Sequence, residues 1–482
     1  MISMTRRSVL ATGAAFTIAA DPAKAAAMDR ELVDMLRQRC RGLARGLGFS
    51  GAVVLTRSGR ELYAEAFGQR NRSEGLANRI DTRFNIASIG KLFTALSIMR
   101  LVEAGRLRLD APLTDAWPSY PDRIVAGRIT VGQILTHTAG LGNAVTFKSR
   151  MDALSAQSQS DLVRLFAKDG LTGEPGAVAY SNDGYVLLGA LIEQLSGRNF
   201  KDHCRETIFA PLGLDGTGFS GPDDIVPNFA LPYVRDIARP GVWRTAIASD
   251  GLASGAFGGG YATVRDLAAF GSAMRDRRLL RSELHSSWVA ERVPFRSGHY
   301  GYGVQIETIN GRRFIGHTGG HYGVAGELLI SETTGHVFVV LSNGEVEPYW
   351  DLSVFIRTAL AGESESSRNH DFTKRLCNVI ALDGVEAGIS MADANPDRTL
   401  REGLIDTLGF RAWHAGEPVA AERLLLFNRK RFDDSLSALW SLAEFYRHAR
   451  RNAEALAAYK TFLERQPGDE ETIAHIARLS GA

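Results

Sequence analysis

Ser88-Ile89-Gly90-Lys91-Leu92-Phe93-Thr94-Ala95-Leu96-Ser97-Ile98-Met99-Arg100-Leu101-Val102 is the stretch on which the reading of this chain turns. Leu92, Leu96, Met99 and Val102 recur on a helical period, and Gly105 closes the run. Ser88 therefore stands at a helix N-terminus, where exposed N–H groups and the positive end of the helix dipole favour an alkoxide. The spacing of three puts Lys91 one turn further on the same face. A lysine ammonium cannot accept a proton. To act as a base, Lys91 must be held neutral by burial and nearby cations. Serine is also a common helix cap, so this tetrapeptide alone is a weak signal.

Two further motifs carry chemistry. Tyr180-Ser181-Asn182 follows Pro175-Gly176 and precedes a helix expected from Gly184 to Leu195. A phenol on that loop can shuttle a proton between nucleophile and leaving group, and the asparagine amide can hold a substrate carbonyl. The alternative is a core tyrosine with an asparagine helix cap. His317-Thr318-Gly319-Gly320 follows a strand expected over Arg313–Ile315. Glycines there let a substrate backbone lie close, while a cationic His317 and the Thr318 hydroxyl can anchor a carboxylate. The N–H groups of Ser88 and Gly320 can form an oxyanion hole. The alternative is a glycine-rich turn with one surface histidine.

The three motifs in this order resemble those of the penicillin-recognising serine enzymes, namely class C β-lactamases, DD-peptidases and their esterase and peptidase relatives. Flanking segments extend the likeness. They are Asp81 to Ala87, Thr130 to Leu141 (with Leu135-Thr136-His137-Thr138-Ala139-Gly140-Leu141), Gly258-Gly259-Gly260 with Arg265-Asp266-Leu267, and Tyr300-Gly301-Tyr302-Gly303. The resemblance spans about residues 30–362. It implies Ser88 as the acylated nucleophile and Lys91 with Tyr180 as one proton-relay unit. Asn182, His317 and Thr318 then bind substrate, and the backbones of Ser88 and Gly320 bind the oxyanion. No cofactor and no metal are implied. His137 is read as a packing residue, and His317 with His321 is too little for a metal site. Class C β-lactamases carry lysine where His317 stands, so efficient β-lactamase activity is not expected.

The ends of the chain and its bulk composition complete the reading. Among 482 residues, 45% are hydrophobic and 23% charged, which excludes a disordered chain. The net charge of +2 gives no field for nucleic acid. Arg6 and Arg7, an apolar stretch to Ala20 and small residues through Ala27 resemble a twin-arginine export signal, which predicts a periplasmic or otherwise exported protein. Arg6, Arg7 and Lys24 against Asp21 account for the whole net charge. Any preference for acidic substrates must then come from local groups such as Lys91 and His317. No segment beyond is apolar enough to span a membrane. Cys40, Cys204 and Cys377 form neither a disulfide framework nor a ligand cluster.

A helix is expected over 28–48, hairpins over 51–67 and around Thr333-Thr334-Gly335, and helices between. That pattern predicts an α+β domain whose antiparallel sheet unites strands from both ends, flanked by helices with an all-helical subdomain. The expected organisation is a signal over 1–27, a hydrolase domain over 28–362, a polar linker over 363–370 and a helical domain over 371–482. Within the last, Ala421 and Ala455, and Leu425 and Tyr459, repeat at the tetratricopeptide spacing of 34. The function expected is a serine hydrolase forming an acyl-enzyme with a peptide, amide or β-lactam carbonyl of a small-molecule or peptide substrate. A serine esterase on the same site is one alternative. A non-catalytic penicillin or peptidoglycan sensor or adaptor, with the repeats recruiting a protein partner, is another.

Overall fold

Two apolar, β-branched stretches nearly 300 positions apart lie side by side. Strand β1 (Gly51–Arg57) pairs antiparallel with β8 (His336–Ser342), from Gly51 opposite Ser342 to Arg57 opposite His336. The other strands are β2 (Arg60–Phe67), β3 (Val293–Phe295), β4 (Gly298–Tyr300), β5 (Gln305–Ile309), β6 (Arg312–His321) and β7 (Val324–Ser331). The order across the sheet is β2-β1-β8-β7-β6-β5-β4-β3, antiparallel throughout. The computed structural model describes residues 22–143, 158–221, 224–235, 242–246, 254–467 and 469–480.

Strand alternation sends neighbouring side chains to opposite layers. Ala52, Val54, Ile315, Leu328 and Val339 face a core built with α2 (Lys91–Glu103), α3 (Asn182–Ser196) and α4 (Val264–Arg275). Val53, Leu55, Phe314, Leu329 and Phe338 face a second core with α1 (Pro22–Gly46) and α5 (Val346–Ala361). The α+β class and the sheet uniting both ends of the chain are as the sequence indicated.

Several boundaries differ from expectation. Helix α1 starts at Pro22, inside the span read as a signal, because Ala23 and Ala25 to Ala27 are strong helix formers behind a proline suited to the first turn. The twin-arginine reading of Arg6 and Arg7 lies outside the described residues. Strand β6 runs on to His321, so the His317 motif lies within a strand rather than after it. The expected linker 363–370 is mostly helix. Ser364 caps α6 (Glu365–Asp383) in a reciprocal capping box with Ser367, so its polar residues are a first helical turn.

The C-terminal helices continue as α7 (Val385–Asp393), α8 (Glu402–His414), α9 (Pro418–Arg431), α10 (Leu436–His448), α11 (Asn452–Arg465) and α12 (Glu470–Ser480). The starts of α8 and α10, and of α9 and α11, are 34 residues apart. Ala421, Leu425, Ala455 and Tyr459 are all buried in their shared core. No helix among the described residues is long and apolar enough to cross a membrane.

One buried carboxylate ties this region to the helices packed on the sheet. Asp351 of α5 accepts from Arg39 of α1 (Nη2–Oδ2 2.8 Å, with Nε on Oδ1), from Lys374 of α6 at 2.8 Å and from His370 of α6 at 3.4 Å. Burial raises its pKa, but these hydrogen bonds outweigh burial and hold the carboxyl well below the usual range. A depressed pKa contributes stability above the unfolded value near 3.8, lost as pH falls below it. Asp351→Ala is expected to destabilise the protein by about 3 kcal/mol at neutral pH, the low end for a broken buried pair because Arg39 and Lys374 still reach water. Denaturant unfolding should show that difference shrinking toward pH 3.

Candidate active site

The Ser88 turn comes before α2 rather than as its cap. Ala87 to Gly90 form a single 3-10 turn running straight into Lys91, and no side chain caps either element. Ser88 is thus not spent on capping. Ala87 holds a left-handed φ of 44°, and Asn85 Oδ1 accepts its N–H at 2.8 Å. Such strain persists only where neighbours over-determine it. Here the Gly258 loop does so, with Gly259 N–H donating to Ala87 O at 3.1 Å and Ile86 N–H to Gly260 O at 3.2 Å. Ile89 and Gly90 are buried while Ser88 stays half-exposed.

Lys91 is fully buried. Its Nζ lies 3.2 Å from Ser88 Oγ, 2.8 Å from Asn182 Oδ1 and against the Phe257 carbonyl. The Tyr180 and Tyr185 ring centroids are 4.8 and 5.2 Å away. Burial lowers its pKa well below that of a free lysine. A neutral amine has two N–H bonds and one lone pair. In that form Lys91 can donate to the two carbonyls and accept from the Ser88 hydroxyl.

Tyr180 is held by residues from the 130s and 140s. Ser181, not Asn182, caps α3, its Oγ accepting from Gly184 N–H at 3.0 Å. Ser181 N–H donates to His137 Nδ1 at 3.1 Å, and Asn182 N–H to Asn143 Oδ1 at 2.7 Å. Asn143 Nδ2 returns to Tyr180 O at 2.9 Å. The His137 and Tyr180 rings lie 4.1 Å apart. Burial pushes His137 well down, so it is a neutral packing partner. Burial pushes the Tyr180 phenol up to about 12, against the pull of a hydrogen bond with Ser88.

On β6, Gly319 backs directly onto the Ser88 turn. A Cβ there would sit 2.4 Å from Ile86 O and 3.1 Å from Ser88 N. Strand β5 pairs only with Arg312–Gly316, whereas β7 pairs with Phe314–His321. From His317 onward β6 therefore has a described strand on one side only, leaving an edge beside Ser88 along which an extended substrate can lie. A cationic His317, one of the two charge states the sequence left open, does not form. It is buried, its Nδ1–H donates to Thr318 O at 2.6 Å, and its Nε2 accepts from Tyr300 Oη at 2.8 Å. Burial pushes the imidazole down to about 3, so it is neutral near pH 7. Thr318 shares hydrogen bonds of 3.1 and 3.2 Å with Gln305. Asn143, Tyr300 and the Phe257 carbonyl were not foreseen. Tyr300 and the Gly258 loop lie in segments the resemblance had marked without a role, while Asn143 braces the backbone of Tyr180 and Asn182 with its side-chain amide from outside any motif.

The Beta-lactamase family model matches residues 30–357. The chain belongs to the Beta-lactamase family. Its relatives include Penicillin-binding protein 4 of Amycolatopsis lactamdurans, 28% identical over 318 residues that cover 61% of this chain and 81% of that protein. Esterase EstB of Burkholderia gladioli is 33% identical over 197 residues, 38% of this chain and 50% of that enzyme. Among solved structures, a penicillin binding protein from Bacillus halodurans superposes with a TM-score of 0.59 at 27% identity, covering 66% of this chain and 98% of that one. This Beta-lactamase family member is a serine hydrolase with the Beta-lactamase fold.

Proposed function

We propose that the protein is an exported hydrolase that forms an acyl-enzyme on Ser88 with an amide or peptide carbonyl. The observation that carries this reading is the buried Lys91 amine, its pKa lowered by burial, between the Ser88 hydroxyl and two carbonyl acceptors. Lys91 Nζ takes the Ser88 proton as Oγ attacks the carbonyl carbon. The N–H groups of Ser88 and Gly320 receive the oxyanion. On collapse the scissile bond breaks, the Tyr180 phenol protonates the leaving group, and the Lys91 ammonium restores the phenol. Water, activated by the same pair, then releases the acid and frees Ser88. Asn182 fixes Lys91 through Oδ1, and Thr318 contacts the polar end of the substrate. Export rests on the Arg6-Arg7 segment. The 34-residue helix pairs support a tetratricopeptide-like surface for a protein partner.

A second reading, an esterase on the same site, draws on the neutral His317, which lacks the charge that holds a β-lactam carboxylate, and on the likeness to EstB. Labelling with a fluorescent penicillin and a fluorophosphonate tests both. Ser88→Ala is expected to abolish all labelling. Equal labelling of wild type and Ser88→Ala would sink the nucleophile assignment. Labelling of wild type by the fluorophosphonate alone favours esterase or peptidase chemistry.

A further inference from the structure

A hollow lies between the sheet and α4, lined by none of the three catalytic motifs. Strand alternation points Ala52, Val54 and Thr56 of β1 at the layer that contains α4. The β1–β2 pairing slips between Leu55 and Thr56, and such an irregularity re-aims the side chain beside it. Opposite, α4 fills the core with Leu267, Phe270 and Met274 but offers the small Ala268 and Ser272, one turn apart, to this spot. The mismatch leaves a cavity of about 450 Å³ whose apolar walls include Val54, Leu212, Ala268 and Ala269. That volume is ordinary for a small-molecule site.

Two polar groups in these walls are left over. Thr56 is buried, and its Oγ1 has no hydrogen-bond partner. Buried hydroxyls are nearly always paired, so an acceptor is what this one lacks. Ser272, also buried, adds a second hydroxyl to the wall. The charged residues of the lining are Glu61, Arg265 and Arg278. Glu61 is spent on Arg265, whose Nε and Nη2 meet its Oε2 and Oε1 at 2.8 and 3.0 Å. Arg278 Nε stands 3.8 Å from Asp276 Oδ2, and Arg275 Nε already donates to the other oxygen of that carboxylate at 2.8 Å. Two guanidinium groups share one carboxylate there, which leaves one positive charge uncompensated at the cavity. The lining therefore offers donors, a net positive charge and an apolar wall.

We propose that this cavity is a binding site for a small aliphatic carboxylate, separate from the Ser88 centre. The Arg278 guanidinium can take the carboxylate with two parallel N–H bonds, and the Thr56 hydroxyl can donate a third. The aliphatic chain then lies against Val54, Leu212 and the two alanines. A carboxylate is favoured over the corresponding amide because the guanidinium has donors only and carries the charge. It is favoured over inorganic phosphate because phosphate has no apolar body to cover the wall. An ammonium is opposed, since the one carboxylate in the lining is already paired.

Isothermal titration calorimetry on the full chain tests this with hexanoate, hexanamide and inorganic phosphate. Hexanoate is expected to bind saturably, and hexanamide about tenfold more weakly or worse, the usual scale for a hydrogen bond to a charged group. Arg278→Gln is expected to weaken hexanoate by a similar factor and to leave hexanamide unchanged. Thr56→Val keeps the shape of the side chain and removes the unpaired hydroxyl. It should weaken hexanoate about threefold or more, yet leave thermal unfolding of the free protein unchanged or raised, which loss of a structural threonine would not do. The Ser88→Ala variant keeps the cavity and should bind hexanoate as the wild type does. Loss of binding in Ser88→Ala would place the acid at the catalytic centre and overturn the separate site. So would the absence of saturable binding, phosphate binding as tightly as hexanoate, or an affinity unchanged within about twofold in Arg278→Gln.

Discussion

Replacing Lys91 with methionine is expected to slow acylation of Ser88 by about a thousandfold, within the range that a positioned general base supplies. Methionine keeps the length and apolar body of the side chain but has no lone pair basic enough for the serine proton. Arginine at the same place is expected to fail as completely, because a guanidinium does not deprotonate. The wild-type pH profile follows from the same geometry. Acylation needs the neutral amine, so its rate rises with pH through the Lys91 ionisation and then levels off. Burial moves that ionisation far below the value of a free lysine, so the plateau is reached well before pH 10. Stopped-flow labelling by a fluorophosphonate between pH 5 and 10 measures this, with circular dichroism to establish that each variant folds. Retention of more than about a tenth of the wild-type rate by a folded Lys91→Met would remove Lys91 from the role of base.

Much of this was legible in the sequence because the decisive signals are local. The helical period after Lys91 placed α2, the β-branched runs placed β1 and β8, and the spacing of Ser88 and Lys91 put hydroxyl and amine on one face. What was not legible depends on contacts between distant segments. The neutrality of His317 follows from Tyr300 and from the loss of water around the ring, neither of which the tetrapeptide His317-Thr318-Gly319-Gly320 encodes. Glycines at 319 and 320 looked like a turn, since glycine more often marks a chain reversal than a strand. Their position inside β6 makes sense only once the Ser88 turn is seen pressed against them. The polar run from Glu363 to His370 looked like a linker because its hydrophilicity was weighed ahead of its capping residues. Ser364 and Ser367 carried the helix signal, a box that spends both hydroxyls on backbone N–H and C=O groups.

Gly319→Ala is expected to cut kcat/KM by about a hundredfold while leaving the protein folded. The added methyl would lie 2.4 Å from Ile86 O and 3.1 Å from both Ser88 N and Ile89 N, all backbone atoms that no rotamer change can move aside. Nor can the turn retreat. On its far side Gly258 approaches so closely that a Cβ there would be 3.0 Å from Ala87 O. The Ser88 turn is gripped between two glycines, and a methyl on Gly319 must displace Ser88 or β6. Overpacking of this kind costs about 1–3 kcal/mol of stability, which a domain of this size tolerates. Catalysis is less forgiving, since a shift of about 1 Å between reacting groups is worth about a hundredfold in rate. Gly320→Ala separates this steric effect from loss of an oxyanion donor. Its nearest obstacle is Val324 O at 3.2 Å, and alanine keeps the backbone N–H. It should therefore lose far less activity than Gly319→Ala when both are assayed on one neutral ester alongside thermal unfolding. Equal losses in the two variants would show that the glycines serve the strand edge rather than the position of Ser88.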